Sequence, residues 1–274
     1  MSGREDPNAA PQAASELQET NTMLPDITTG SETELMKELD REYRDRSGLT
    51  ERRHYSIFYS RIPPSPLMIL GINPGGNPAT WTMPAGADEF CSAWQHDYVD
   101  ERYPIQAVMQ PLLRKVLGID DASLRRIPKT NMVFRRSQGV SKFQEQQSGM
   151  TMDTALKEAA PTLEKIVRRV SPKAIIFEGL DALAMFNRTF GTGALGSSLV
   201  EPVTTPNGRH RALIYSVHEL RTSILPDPIV ACALAHPSKY ARRAEFQTAE
   251  TDMIDRLASV GAILRAMGPS AGAT

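Results

Sequence analysis

A three-layer α/β/α architecture around a central, mainly parallel sheet is the fold class that three features of this sequence predict. Short apolar runs of strand length recur along the chain, and helical periodicity fills several of the intervals between them. One run, Leu67-Met68-Ile69-Leu70, ends abruptly in Gly71-Ile72-Asn73-Pro74-Gly75-Gly76. Strands buried on both faces read as continuous apolar runs, and their alternation with helices calls for right-handed crossovers within one sheet. Open sheets of this kind place ligands at the carboxyl ends of their strands, which is where that turn lies.

Residues 1–30 are rich in Ala, Pro, Gln, Ser, Thr and Asn and almost free of aromatic residues and of Val and Ile. Such a segment buries too little surface to offset the entropy of ordering, so a disordered arm is expected. Ser31-Glu32-Thr33-Glu34 has the form of a helix start. The helix that follows carries Leu35, Met36, Leu39 and Tyr43 on one face and stops at Ser47-Gly48, where Gly suits a C′ position. Strands are expected at residues 55–59, 67–72, 131–134, 174–177, 212–217 and 229–234, and further helices at 105–117, 154–170, 180–190 and 245–267. Pro161 should kink or split the helix over 154–170, because it lacks an N–H and its ring meets the preceding turn. Residues 77–99 and 139–152 fit neither period and read as loops, long enough to be functional. Residues 31–267 thus make a single domain, followed by a frayed tail over 268–274.

The chain has 274 residues, 41% of them hydrophobic and 23% charged, enough for a substantial core without a metal or disulfide staple. A net charge of −1 means that a nucleic acid would have to be met by a local basic face. Cys91 and Cys232 are too few for a disulfide framework or an iron–sulfur cluster, and read as buried thiols of a reducing compartment. The N-terminus lacks the apolar segment of a secretory signal, and no apolar run approaches the roughly 20 residues of a membrane span. A cytoplasmic location follows.

The glycine-rich turn lacks the GK[ST] ending of a P-loop, and no HExxH, CxxC or GxSxG pattern is present. His96, His210 and His218 stand alone and read as surface or structural. Asn73 is the polar side chain of its turn. Turn chemistry alone favours Asn before Pro-Gly, so a functional and a conformational reading both stand. A second segment, Leu234-Ala235-His236-Pro237-Ser238, follows the last strand. There the histidine is either functional or a satisfied structural residue.

A GxNPG turn after an early strand, paired with HPS after a late one, resembles the uracil-DNA glycosylase superfamily. Pro128-Lys129-Thr130-Asn131-Met132-Val133 and Pro172-Lys173-Ala174-Ile175-Ile176-Phe177-Glu178-Gly179 agree with two further segments of that family in order and spacing. The turn is similar to the asparagine-type branches, the mismatch-specific and single-strand-selective enzymes, whereas HPS departs from the mismatch-specific pattern. The chain is therefore a mosaic of branches, and its cysteine count excludes the iron–sulfur ones.

The resemblance implies a uracil-DNA glycosylase-like fold and monofunctional removal of uracil or a related damaged base from DNA, leaving an abasic site. It implies no cofactor, no metal and no membrane partner, with DNA as the partner of a monomer. In that reading Asn73 positions the water, because an amide can accept and donate hydrogen bonds but scarcely takes a proton. His236 donates to the departing base, a contribution of about 3–4 kcal/mol when such a donor is removed. Asn131 reads the edge of the flipped base. Gly71, Ile72, Pro74 and Gly75 line the substrate. Ser238, Lys239, Arg242 and Arg243, with Arg135 and Arg136, face phosphates, and Tyr240 falls at the wedge position. The family's stacking Phe has no counterpart, since the matching count reaches Ala85-Gly86. Trp81 and Phe90 flank that point and either stack on the base or pack the loop. Two alternatives follow from this departure: a catalytically silent module that binds DNA or a protein partner, and a glycosylase for a bulkier, hypermodified base.

Overall fold

Apolar periodicity and turn chemistry translate directly into the elements of the computed structural model, which describes residues 32–82, 96, 98–100, 105–200, 203–204, 213–235 and 244–267. Helix α1 (Glu32–Ser47) buries Met36, Leu39 and Tyr43 and ends where Gly48 adopts φ +68°, the left-handed conformation expected of a C′ glycine. In chain order there follow β1 (Leu67–Gly71), α2 (Gln106–Leu117), a short α3 (Asp121–Leu124) and β2 (Lys129–Asn131). Next come a short α4 (Phe143–Gln146), α5 (Met152–Val170), β3 (Ala174–Glu178) and α6 (Leu180–Phe190). The chain closes with β4 (Val203–Thr204), β5 (Leu213–Leu220), β6 (Ile229–Leu234) and α7 (Ala244–Ala266).

The strands form one sheet in the order β2-β1-β3-β6-β5-β4. β2, β1, β3 and β6 run parallel, while β5 and β4 add an antiparallel margin. Strand periodicity divides the side chains between two cores. Met68, Leu70, Ile175, Phe177, Ala231 and Ala233 point to the layer of α1, α5 and α6. Leu67, Ile69, Ala174, Ile176, Cys232 and Leu234 point to the layer of α2 and α7. Helices therefore cover both faces, the three-layer arrangement that continuous apolar strands require.

Several expectations are corrected. Residues 55–59 make no strand; Tyr55 forms an isolated antiparallel bridge with Arg135, and Tyr59 N–H reaches the Lys129 carbonyl. β2 begins two residues earlier than expected and ends at Asn131. The loop over 139–152 contains a 3₁₀ turn, Val140–Lys142, and α4, anchored by buried Phe143. Pro161 neither splits nor ends α5. The proline withholds only the N–H that the Lys157 carbonyl would accept, a single bond of the helix. The expected arm over 1–30 and tail over 268–274 lie outside the described residues.

Cys232 is fully buried in β6, and burial pushes its thiol up to about 12. In a Cys91→Ser background, Cys232 is expected to resist thiol reagents at pH 8 and to react only after denaturation. Rapid labelling of the native chain would contradict that burial.

Candidate functional site

Consecutive cross-strand positions at the carboxyl ends of the parallel strands bring Asn131, Gly71, Glu178 and Leu234 into one row. Asn131 pairs with Gly71, Glu178 pairs with Leu234, and the β1–β3 register places Gly71 beside Glu178. The glycine is what allows the row to close. A Cβ at Gly71 would collide with Asn131 Oδ1 and lie 3.1 Å from Glu178 Oε2. Two polar side chains thus share the space above a residue with no side chain of its own. Gly71, expected to touch substrate, lies beneath Asn131 and Glu178.

Asn131 is only 4% exposed, yet its amide makes no hydrogen bond to any described residue. Its amide atoms are not sealed from solvent, so water or a ligand can complete their hydrogen bonding. Two residues back on the same strand face, Lys129 Nζ lies 3.4 Å from Glu178 Oε2, with both side chains 5% exposed. The ammonium also sits over the rings of Tyr59 and Tyr98, at 4.8 and 5.0 Å. A charge pair this deep contributes little net stability but fixes where each charge lies.

The turn after β1 is held from the β2 side. Asn73 Nδ2 donates to Ser137 Oγ at 2.8 Å, to the Pro74 carbonyl at 3.0 Å and to the Ser137 carbonyl at 3.4 Å. Two of these acceptors are carbonyls, which fixes the amide with its nitrogen inward. Its Oδ1 accepts from no described residue. Ser137 Oγ in turn donates to the Gly139 carbonyl, and its N–H binds the Pro74 carbonyl. Asn73 is therefore a positioned acceptor, suited to aligning water and unsuited to taking its proton.

Other expected site residues serve the protein's own packing. Ile72 packs against Gly179 at the start of α6, the Pro74 carbonyl is bonded internally, and the Gly75 carbonyl accepts Arg136 Nη1 at 2.7 Å. Trp81 carries the Arg136 guanidinium at 4.2 Å from its ring centroid, so that face is already covered. Arg135 and Arg136, expected to face phosphates, are both buried. Arg135 forms a bidentate pair with Glu158 and bonds the Ser47 carbonyl and Gln147. His236, Phe90, Ser238, Lys239, Tyr240, Arg242 and Arg243 lie outside the described residues.

Ser137, Lys129 and Glu178 were missed as site residues. A charged residue ending the apolar run Ala-Ile-Ile-Phe was the available signal for Glu178. Ser137 carried none. The histidines expected to be structural agree with the geometry where described. His96 is buried, with Nδ1 accepting from Tyr98 N–H and Nε2 facing the Ile127 carbonyl, and His218 Nδ1 meets the Gly196 carbonyl.

An open cleft of about 620 Å³ lies elsewhere, lined by His54, Arg135, Gln147, Ser148 and Met150 among others. It includes none of the turn residues, and its one strong cation is bound to Glu158. Its Arg135, Gln146 and Gln147 are already bonded to Glu158, Gln138 and the Arg136 carbonyl, which makes it a poorer candidate than the strand ends. Among the described residues no cluster of three His, Cys, Asp or Glu side chains could hold a metal ion, and no helix is long and apolar enough to cross a membrane. The chain matches no known protein-family model and no curated protein.

Proposed function

We propose that this chain is a monofunctional DNA N-glycosylase that hydrolyses the bond between deoxyribose and uracil or a related damaged base, leaving an abasic site for base excision repair. The observation that carries the reading is the bare, buried amide of Asn131 beside a turn whose Asn73 presents a fixed acceptor. Glycosidic cleavage proceeds through an oxocarbenium-like sugar and an anionic leaving base, so it needs an aligned water and donors to the base. Asn73 Oδ1 aligns the water, and Asn131 reads a base turned out of the stack. β6 ends beside Glu178, and the reading assigns the imidazole donor to the departing base to His236. The reading needs DNA contacts from 238–243, because Arg135 and Arg136 are turned inward.

A nicking assay with alkali treatment on uracil-containing single- and double-stranded oligonucleotides tests the proposal. Cleavage by the natural chain that disappears in Asn73→Ala and His236→Ala is the expected result. Binding without any abasic product would instead favour a silent module, a reading supported by the inward arginines and the covered Trp81 ring. Ser137→Ala is expected to cost about 1 kcal/mol of stability and roughly tenfold in turnover, as the Asn73 amide loses its strongest tether. Unchanged turnover in that variant would show that Asn73 needs no such support.

A further inference from the structure

We propose that Arg136 and the Gly75-Gly76 turn bind a phosphate-type oxyanion, which supplies the counter-charge that this guanidinium lacks. The inference goes beyond the glycosylase reading and holds whether or not the chain releases a base. Arg136 is 7% exposed. Among the described residues, every other buried Asp, Glu, Lys or Arg belongs to an ion pair: Asp40 with Arg52, Lys129 with Glu178, and Arg135 with Glu158. The Arg136 guanidinium instead meets the Gly75 carbonyl, through Nη1 at 2.7 Å, and the Trp81 ring, at 4.2 Å from its centroid. Neither carries a full opposite charge, and a charge withdrawn from water without one is costly.

The unused edge of the guanidinium decides what can supply that charge. Nε is sealed from solvent, whereas Nη2 bonds no described residue and is not sealed. A Cβ built on Gly75 would meet nothing within 4 Å, so the space beside that residue is open. The N–H groups of Gly75 and Gly76 also bond no described residue, and Gly76 adopts φ +99°. Unbonded N–H groups in a turn of this kind suit oxyanions. A guanidinium pairs with carboxylate and phosphate alike, but a tetrahedral phosphate offers oxygens to the side-chain edge and to the backbone together. The Trp81 ring fixes the guanidinium plane before the ligand arrives, which lowers the cost of ordering. Arg136 faces the turn, so the site takes one phosphate group that comes down onto it and leaves the rest of any DNA strand to other residues.

Titration calorimetry with inorganic phosphate, at ionic strength held constant with potassium chloride, tests the inference on the natural chain. Saturable binding is expected. Arg136→Gln is expected to weaken it by about 10- to 100-fold, the range of one charged hydrogen bond. Arg136→Lys should lose less, since an ammonium keeps the charge without the planar fork. No binding by the natural chain would overturn the inference without needing any variant to fold. Equal binding by a folded Arg136→Gln chain, checked by circular dichroism, would also overturn it, as would acetate binding as tightly as phosphate. Emission of Trp81 in a Trp94→Phe chain, where it is the only tryptophan, then identifies the source of the phosphate. An oligonucleotide without terminal phosphates that changes this emission, and is displaced by phosphate, would assign the site to a phosphodiester of DNA. A change produced by phosphate and not by the oligonucleotide would assign it to a free phosphate. Phosphate binding by a chain that releases no base would support this inference and overturn the glycosylase reading alone.

Discussion

Replacing Glu158 with Ala is expected to lower the free energy of unfolding by about 3–5 kcal/mol, measured as a reduced urea midpoint at unchanged slope. Glu158 on α5 accepts from Arg135 Nε at 3.0 Å and Nη2 at 2.8 Å, and from the Tyr43 hydroxyl at 2.6 Å. Both members of the ion pair are nearly nine-tenths buried, so deleting the carboxylate strands a guanidinium with little solvent to compensate it. Glu158→Gln keeps an acceptor of the same shape and is expected to cost less. A loss below about 1 kcal/mol in Glu158→Ala would show that the pair behaves like an exposed one. The same contact sets an alkaline limit. Burial first, and the Glu158 carboxylate second, raise the Tyr43 phenol above its ordinary value. A group raised in the folded state stabilises fully below its unfolded pKa, here about 10, so this contribution declines as pH climbs beyond that value.

Gly71→Ala is expected to leave a folded protein, less stable by about 1–3 kcal/mol, that has lost base release by two orders of magnitude or more. The added methyl meets Asn131 Oδ1 head on and crowds Glu178. Both are ends of side chains, so the chain accommodates the methyl by displacing the groups that the proposed site uses. A double-mutant cycle separates packing from function. In an Asn131→Ala background the methyl has room, and the stability cost of Gly71→Ala should shrink by about 1 kcal/mol or more. Additive costs would mean that Asn131 and Gly71 do not compete for that space.

The apolar runs that became β1, β3 and β6 were legible because strands buried on both faces leave little ambiguity in composition. Direction was harder to read. β5 is antiparallel because only residues 221–228 separate it from β6, too few for a crossover helix, a spacing visible in the chain but masked by the parallel pattern elsewhere. Residues 55–59 have strand composition, yet they touch β2 and its continuation only at isolated points. The uninterrupted α5 reflects the buried apolar face on both sides of Pro161, from Ala155 to Val170, which a local reading of the proline does not weigh. At the site, Asn73 and Asn131 stood out as polar residues at strand ends. Glu178 and Ser137 acquire their roles only when registers and a distant loop set their neighbours. Arg135 and Arg136 looked like surface cations because burial of a charge depends on its partner, and Glu158 lies on another element.

The stitching of 71–75 to 132–137 has a thermodynamic consequence. Backbone bonds from Met132, Val133 and Ser137 reach the carbonyls of Gly71, Ile72 and Pro74, and the Arg136 side chain reaches that of Gly75. The loop is thus an extension of the sheet, and its ordering entropy is met once, when the polypeptide folds. An incoming ligand finds a rigid rim, so association loses little to induced ordering, and the rim should open only with global unfolding in native-state hydrogen exchange.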